Sequence, residues 1–294
     1  MGDGAADREA RPVSGSLERV AVAAGTLAEG PYWDGAAGGL YWVDIPAGRV
    51  HFLDEAGGQA SWEAGQPVGA VVSRAGGGLM LAVRDGFMWL DPATGETGLL
   101  AGAGAGRPDV RMNDGACDRA GRFFAGTMAE DEVTAAGALY RLDPDHRVTR
   151  LVEGVTVSNG IGWSPDERLM YYADSPTRRV DVFDYDAVTG AIEGRRPFVS
   201  LPPGEAMPDG LTVDAEGCVW VALWGGSAVH RYDTGGRLDR VLDVPAENVT
   251  SCAFGGAGLD VLYVTAAAGP GAAAGALYRC TPGITGLPAH PYGG

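Results

Sequence analysis

Apolar residues in this chain come in short runs broken by turns, and the runs repeat. An Asp/Ser-and-Gly turn leads into an apolar strand near Leu40 (LYWVD), Leu79 (LMLAV), Phe123 (FFAGT), Met170 (MYYAD), Val219 (VWVAL) and Leu262 (LYVTA). Successive starts lie about 39, 44, 47, 49 and 43 residues apart, inside the roughly 40–50 residue range of propeller blades. A third strand follows in each unit, at residues 49–54, 86–91, 137–143, 179–184, 228–233 and 275–279. Weaker fourth strands are expected at 60–62, 97–100, 148–151, 197–199 and 240–242. Six such repeats predict an all-β fold, a six-bladed β-propeller. Two stacked sandwiches would not need so regular a spacing. The sixth repeat lacks a fourth strand, whereas a spare strand, 17–22, precedes the first. Pairing the spare strand into the last blade closes the ring and hides both edges. The expected organisation is one domain over 16–294, behind a polar, small-residue-rich, disordered tail over 1–15.

Aligned on their first strands, the repeats show a second pattern. Those strands end at Asp34, Ser73, Asp118, Ser164 and Asp214; five residues earlier stand Glu29, Val68, Asn113, Asn159 and Asp209. In the sixth repeat the turn is Gly255-Gly256, so the matching position is Thr250 or Ser251. First strands line the central channel of a propeller, so these positions form one ring. Taken singly, Glu29-Gly30-Pro31, Ser158-Asn159-Gly160 and Pro208-Asp209-Gly210 are ordinary turn formers. In shared register, Glu29, Asn113, Asn159 and Asp209 place hard oxygen donors around a narrow channel. Such a ring is costly without a partner, and an ion or ordered water is the natural one. Carboxylate and amide oxygens suit Ca²⁺, Mg²⁺ or Mn²⁺ without choosing among them. Asp209 is the member expected to do chemistry.

Composition narrows the function classes. The chain has 294 residues, 46% apolar and 20% charged, with 48 Gly and 18 Pro spread between the apolar runs. A formal net charge of −16 repels phosphate backbones, so no nucleic-acid partner is expected. No apolar run is long enough to span a bilayer, so no membrane partner is expected either. The start lacks the apolar core of a signal peptide, and a cytoplasmic location is the default expectation. Cys117, Cys218, Cys252 and Cys280 form no C-x-x-C pair and have no His at zinc spacing, and are expected to be buried thiols. His51, His146, His230 and His290 fall off the ring, and there is no G-x-S-x-G or H-E-x-x-H motif. The G-x-G-x-G run at 102–106 lacks a strand-to-helix context, which argues against a dinucleotide. Core packing is expected for most tryptophans, with Trp224 a candidate to line a pocket.

Ala28-Glu29-Gly30-Pro31-Tyr32-Trp33, Tyr41-Trp42-Val43-Asp44-Ile45-Pro46, Arg111-Met112-Asn113-Asp114-Gly115, Ala125-Gly126-Thr127-Met128-Ala129-Glu130, Ser158-Asn159-Gly160, Phe183-Asp184-Tyr185-Asp186, Pro208-Asp209-Gly210 and Ser251-Cys252-Ala253-Phe254-Gly255-Gly256 together resemble the gluconolactonase/regucalcin (senescence marker protein) family, SGL-type sugar lactonases. The resemblance covers nearly the whole chain after the tail. It implies one divalent cation (Ca, Zn, Mn, Mg or Fe) held by Glu29, Asn159 and Asp209, with Asn113 close by. It also implies substrate contacts from Arg111 and Asn113, and from an acidic residue at Asp131, with Glu130 beside it as the alternative. The implied reaction opens a sugar lactone to its aldonic acid, the cation polarising the carbonyl and Asp209 acting as general base. A monomer or weak homo-oligomer is expected. The competing readings are a calcium-binding regulatory or interaction propeller without catalysis, and a phosphotriester or aryl-ester hydrolase. Arg111-Met112-Asn113-Asp114 beside the ring favours a substrate pocket, because a purely structural ion needs no such neighbour.

Overall fold

The turns marked by Asp or Ser close through side-chain capping. Asp34 Oδ1 accepts the backbone N–H groups of Ala36 at 2.9 Å and Ala37 at 3.1 Å. Asp118 Oδ1 accepts that of Arg122 at 2.9 Å, and Ser164 Oγ accepts that of Leu169 at 3.0 Å. These local bonds reverse the chain between the first and second strands of a blade.

The computed structural model describes residues 10–13, 15–20, 25–103, 107, 109–204, 206–269 and 274–294. Its strands form six antiparallel sheets around one axis. The innermost strands are Ala28–Asp34, Val68–Ser73, Val110–Cys117, Ser158–Trp163, Met207–Val213 and Val249–Gly255. The second strands, such as Leu79–Val83 and Phe123–Ala129, are buried along their whole length. Burial on both faces is why they read as continuous apolar runs and not as alternation. Fourth strands such as Gln59–Glu63 and Ala191–Ser200 are mostly exposed, which explains their faint apolar signal. Trp42, Trp220, Phe123 and Phe124 are fully buried between blades. Among the described residues no helix is long and apolar enough to cross a membrane. The four cysteines are buried free thiols.

The ring closes as the spare strand suggested. Glu18–Val20 pairs antiparallel with Ala276–Cys280 and is the outer strand of the sixth blade. Arg11–Pro12 pairs parallel with Leu238–Asp243 as a fifth strand of the fifth blade. Residues 1–9 and 14 of the expected tail, 21 and 22 of the spare strand, and 104–106 of the glycine run lie outside the described residues. After Cys280 the chain crosses the face of the ring that carries the capped turns. Thr285 O accepts from Ala215 N at 2.9 Å, Gly286 N donates to Leu259 O at 2.7 Å, Tyr292 N to Ser73 O at 2.8 Å, and Gly293 N to Gly121 O at 2.9 Å. This strap ties the fifth, sixth, second and third blades together.

Every innermost strand carries a bulge at the same height. The register against the second strand shifts between Glu29 and Tyr32, Val68 and Ala70, Met112 and Asp114, Asn159 and Ile161, Pro208 and Leu211, and Val249 and Ser251. A bulge bends the strand and re-aims its side chains. Neighbouring innermost strands also approach closely there. A Cβ added at Gly160 would fall 2.7 Å from Asp209 O, and one added at Gly210 would collide with the Ser251 side chain. Glycine is therefore required for packing at these two positions.

Asp214 anchors the fifth blade. Its carboxylate accepts from Glu216 N, Cys218 N, Trp220 Nε1 and Arg231 Nε at 2.8–3.0 Å, and both it and Arg231 are buried. Asp214→Ala is expected to lower stability by about 3 kcal/mol, since it leaves three N–H donors and Arg231 Nε without their acceptor, although Glu216 and Asp239 still pair with the Arg231 guanidinium. Urea unfolding checks this, and a loss below about 1 kcal/mol would contradict the anchoring role.

Candidate functional site

The bulges bring Glu29, Asn113, Asn159 and Asp209 to one level of the channel, all buried. The two remaining ring positions are not free donors. Val68 is apolar, and Thr250 Oγ1 donates to Ala28 O at 2.6 Å. The four polar members fall into an amide half and a carboxylate half.

The amide half is fully hydrogen-bonded. Arg111 Nη1 donates to Asn113 Oδ1 at 2.7 Å and to Met112 O at 3.1 Å. Asn113 Nδ2 donates to Asn159 Oδ1 at 2.9 Å and to Ser158 O at 2.8 Å. Asn159 Nδ2 donates to Ser175 Oγ at 2.7 Å. This chain sets which way each amide points, and it leaves a lone pair on Asn159 Oδ1.

The carboxylate half is not satisfied. Asp209 Oδ1 is buried and no N–H or hydroxyl donor reaches it; the Asp209 carboxyl faces that of Glu29, and the two share a hydrogen bond only while one of them holds a proton. Glu29 Oε2 accepts only a short-range bond, from Gly30 N at 2.6 Å. A third carboxyl, Asp114, lies close enough to repel both. Asp114 was not among the expected site residues. The pattern does contain a signal for it: a glycine follows Glu29, Val68, Asn159 and Asp209, whereas Asp114 follows Asn113. Burial, then repulsion from Glu29 and Asp114, pushes the Asp209 carboxyl well above its usual range. Burial first and Asp114 second raise Glu29, and burial raises Asp114.

A divalent cation fits this environment on physical grounds. The Glu29 and Asp209 carboxyls meet at a desolvated spot with Asp114 near enough to repel both, no N–H or hydroxyl donor reaches Asp209 Oδ1, and the donors are hard oxygens. Glu29, Asp209 and Asn159 are the residues that would hold it. Among the described residues no group of three or more His, Cys, Asp or Glu has metal-ligand spacing, so the candidate set is a mixed one, two carboxylates and an amide.

The acidic candidates at the rim separate. Glu130 Oε2 lies 3.6 Å from Arg111 Nε. Asp131 is not brought to the ring. Its oxygens accept from Val133 N at 3.0 Å, Thr134 N at 2.8 Å and Thr134 Oγ1 at 2.5 Å, an Asx turn within its own exposed loop. Below the ring, a cavity of about 180 Å³ runs from Gly30 and Asp114 past Trp33 and Trp163 to a floor made by Leu287 and His290 of the strap. Arg111 and Asn113 do not line it. Trp224, at the end of its strand, is half-buried and does not line this cavity.

The family model described as SMP-30/gluconolactonase/LRE-like region matches residues 27–268. The chain belongs to this family. Regucalcin of Bos taurus is 39% identical over 283 residues, covering 90% of this chain and 94% of the relative. The pentonolactonase XacC of Haloferax volcanii is 39% identical over 289 residues, 93% of this chain and 97% of that protein. A crystal structure of regucalcin from Agrobacterium tumefaciens, described as a calcium-binding protein, superposes with a TM-score of 0.89 at 29% identity, covering 96% and 98% of the two chains. The family match runs from the innermost strand of the first blade to the second strand of the sixth.

Removing divalent cations should make stability depend on pH with a definite sign. The folded carboxyls Glu29, Asp114 and Asp209 keep protons that the unfolded chain releases, so their contribution to stability is greatest below the ordinary carboxylate pKa. It then falls as pH rises, until the native groups ionise. Thermal unfolding of chelated protein from about pH 4 to pH 8 should show this decline. Asp114→Asn, which cannot titrate, should shrink the slope, and added Ca²⁺ should flatten it. A slope identical in the variant would contradict the assignment of these charges.

Proposed function

We propose that this chain is a metal-dependent sugar lactonase that hydrolyses an aldonolactone to the aldonic acid. The family, and the pentonolactonase relative within it, support lactone hydrolysis. The observation that carries the metal-dependent reading is the buried Asp209 Oδ1, reached by no N–H or hydroxyl donor, beside a second carboxyl, with a guanidinium and two amides next to it.

Each of these groups has a task. A resident divalent cation supplies Lewis acidity to the lactone carbonyl and the positive charge that keeps the neighbouring carboxylates ionised. Asp209, through its free oxygen, accepts the proton of the attacking water as the water oxygen bonds to the carbonyl carbon. It returns that proton to the ring oxygen as the ester C–O bond breaks. Arg111 donates to sugar hydroxyls, and Asn113, whose two N–H groups go to Ser158 O and Asn159 Oδ1, accepts from one through its Oδ1; together they hold the carbonyl over the ring. Ser175 and Asn113 fix the Asn159 amide from both sides. The bulged strands keep these groups rigid, so little reorganisation accompanies the reaction.

A calcium-binding propeller without catalysis is the second reading, favoured by the description of the Agrobacterium relative. Arg111 beside the ring argues for catalysis, since a structural ion needs no such neighbour. A phosphotriester or aryl-ester hydrolase is a third outcome of the same assay.

In a pH-stat assay, several aldonolactones should be hydrolysed, and an organophosphate should not. Chelation should abolish the rate, and one or more of Ca²⁺, Zn²⁺, Mn²⁺, Mg²⁺ and Fe²⁺ should restore it. A rate that survives complete chelation would refute metal dependence. Asp209→Ala should keep its fold and lose at least about 10²–10⁴-fold in kcat, the range expected for removing a general base. Wild-type turnover in that variant would refute the role given to Asp209.

A further inference from the structure

We propose that Arg84 is a positioning residue: by holding Glu130, it keeps the Arg111 guanidinium available to substrate. The substrate chemistry in this proposal rests on the lactonase reading; the geometry does not.

Arg84 follows the second strand of the second blade, and its backbone N–H donates to Pro67 O at 3.1 Å. Glu130 follows the second strand of the third blade, and its N–H donates to Asp109 O at 2.9 Å. Both loops are thus pinned at the backbone. Arg84 Nη2 donates to Glu130 Oε1 at 2.7 Å. The other Glu130 oxygen stands 3.6 Å from Arg111 Nε, within ion-pair range but too long for a hydrogen bond. Glu130 therefore neutralises Arg111 from a distance while bonding to Arg84. Arg111 in turn orients Asn113, which orients Asn159, which rests on Ser175. One chain of contacts runs from an exposed rim arginine to the candidate metal ligand, across three blades.

Fold stability does not account for this pair. The two side chains are 40% and 42% exposed, and ion pairs at such exposure contribute little. Removing Arg84 frees Glu130 Oε1 and leaves Arg111 as the cation with which Glu130 pairs. Closing the 3.6 Å gap would give Glu130 a charge-assisted hydrogen bond. The same movement takes a donor and a positive charge from the substrate.

The decisive measurement is a variant series assayed on an aldonolactone that the wild type turns over. Arg84→Met should leave Tm within about 2 °C, because an exposed pair contributes little to stability. It should raise KM by about 5–10-fold with kcat changed less than about twofold, the signature of weakened ground-state binding. Arg84→Lys should stay close to wild type, since an ammonium can still hold Glu130. Adding Glu130→Gln to Arg84→Met removes the competitor, so the double variant should match Glu130→Gln alone. An unchanged KM in Arg84→Met, or a double variant as impaired as Arg84→Met, overturns the proposal. A second readout needs no turnover. In protein with ¹⁵N-labelled arginine, the Arg111 Nε–H resonance, assigned with Arg111→Lys, should shift in Arg84→Met and return in the double variant. A wild type that opens no lactone sinks the lactonase reading alone; a resonance that does not move sinks the role of Arg84.

Discussion

The close approach of the six innermost strands is the constraint on which the rest of the structure depends. The strands converge until a Cβ at Gly160 or Gly210 would strike the neighbouring blade. A regular pleat does not fit there, and each strand bulges at that height. The bulge turns one side chain per blade toward the axis. A packing requirement that exists for steric reasons thus creates a ring of six positions pointing into a narrow channel. Val68 fills one position with apolar surface, and Thr250 satisfies itself on Ala28 O. The other four are left for chemistry.

Those four divide the electrostatic work. The amides are tied into a directional chain from Arg111 through Asn113 and Asn159 to Ser175, so their oxygens are presented in fixed orientations. The carboxyls of Glu29 and Asp209, with Asp114 near them, are buried and repel each other. Burial and this repulsion raise their affinity for protons; a neighbouring cation would favour their ionised forms. The same desolvation that makes the apo ring costly would make a bound cation a strong organiser of the site. Glu130 links Arg84 to Arg111 at the edge of this arrangement.

Much of this was legible in the chain. The second strands announce themselves because burial on both faces demands continuous apolar runs. The capped turns announce the register, and counting back from Asp34, Asp118, Ser164 and Asp214 reaches Glu29, Asn113, Asn159 and Asp209. The spare strand before the first repeat correctly implied closure in the last blade. Asp114 was missed because it stands one residue past the register position, in a place where other blades carry glycine. The choice between Asp131 and Glu130 was open in the sequence, and only the loop conformation shows that the Asp131 oxygens are taken up by Thr134 and Val133.

Sequence alone determined the six-fold repeat, the closure and the level of the polar ring, because strand periodicity, turn capping and blade spacing are local properties. Tertiary structure decided which donors remain unpaired, which rim carboxylate meets Arg111, and that Arg84 of one blade reaches Glu130 of the next. Those outcomes depend on distances between residues far apart in the chain, where a shift of one bond length separates a hydrogen bond from an ion pair. They depend also on desolvation, which no residue carries by itself. Asp209 is an ordinary turn aspartate in the sequence, and it becomes a candidate base only when five other strands close around it.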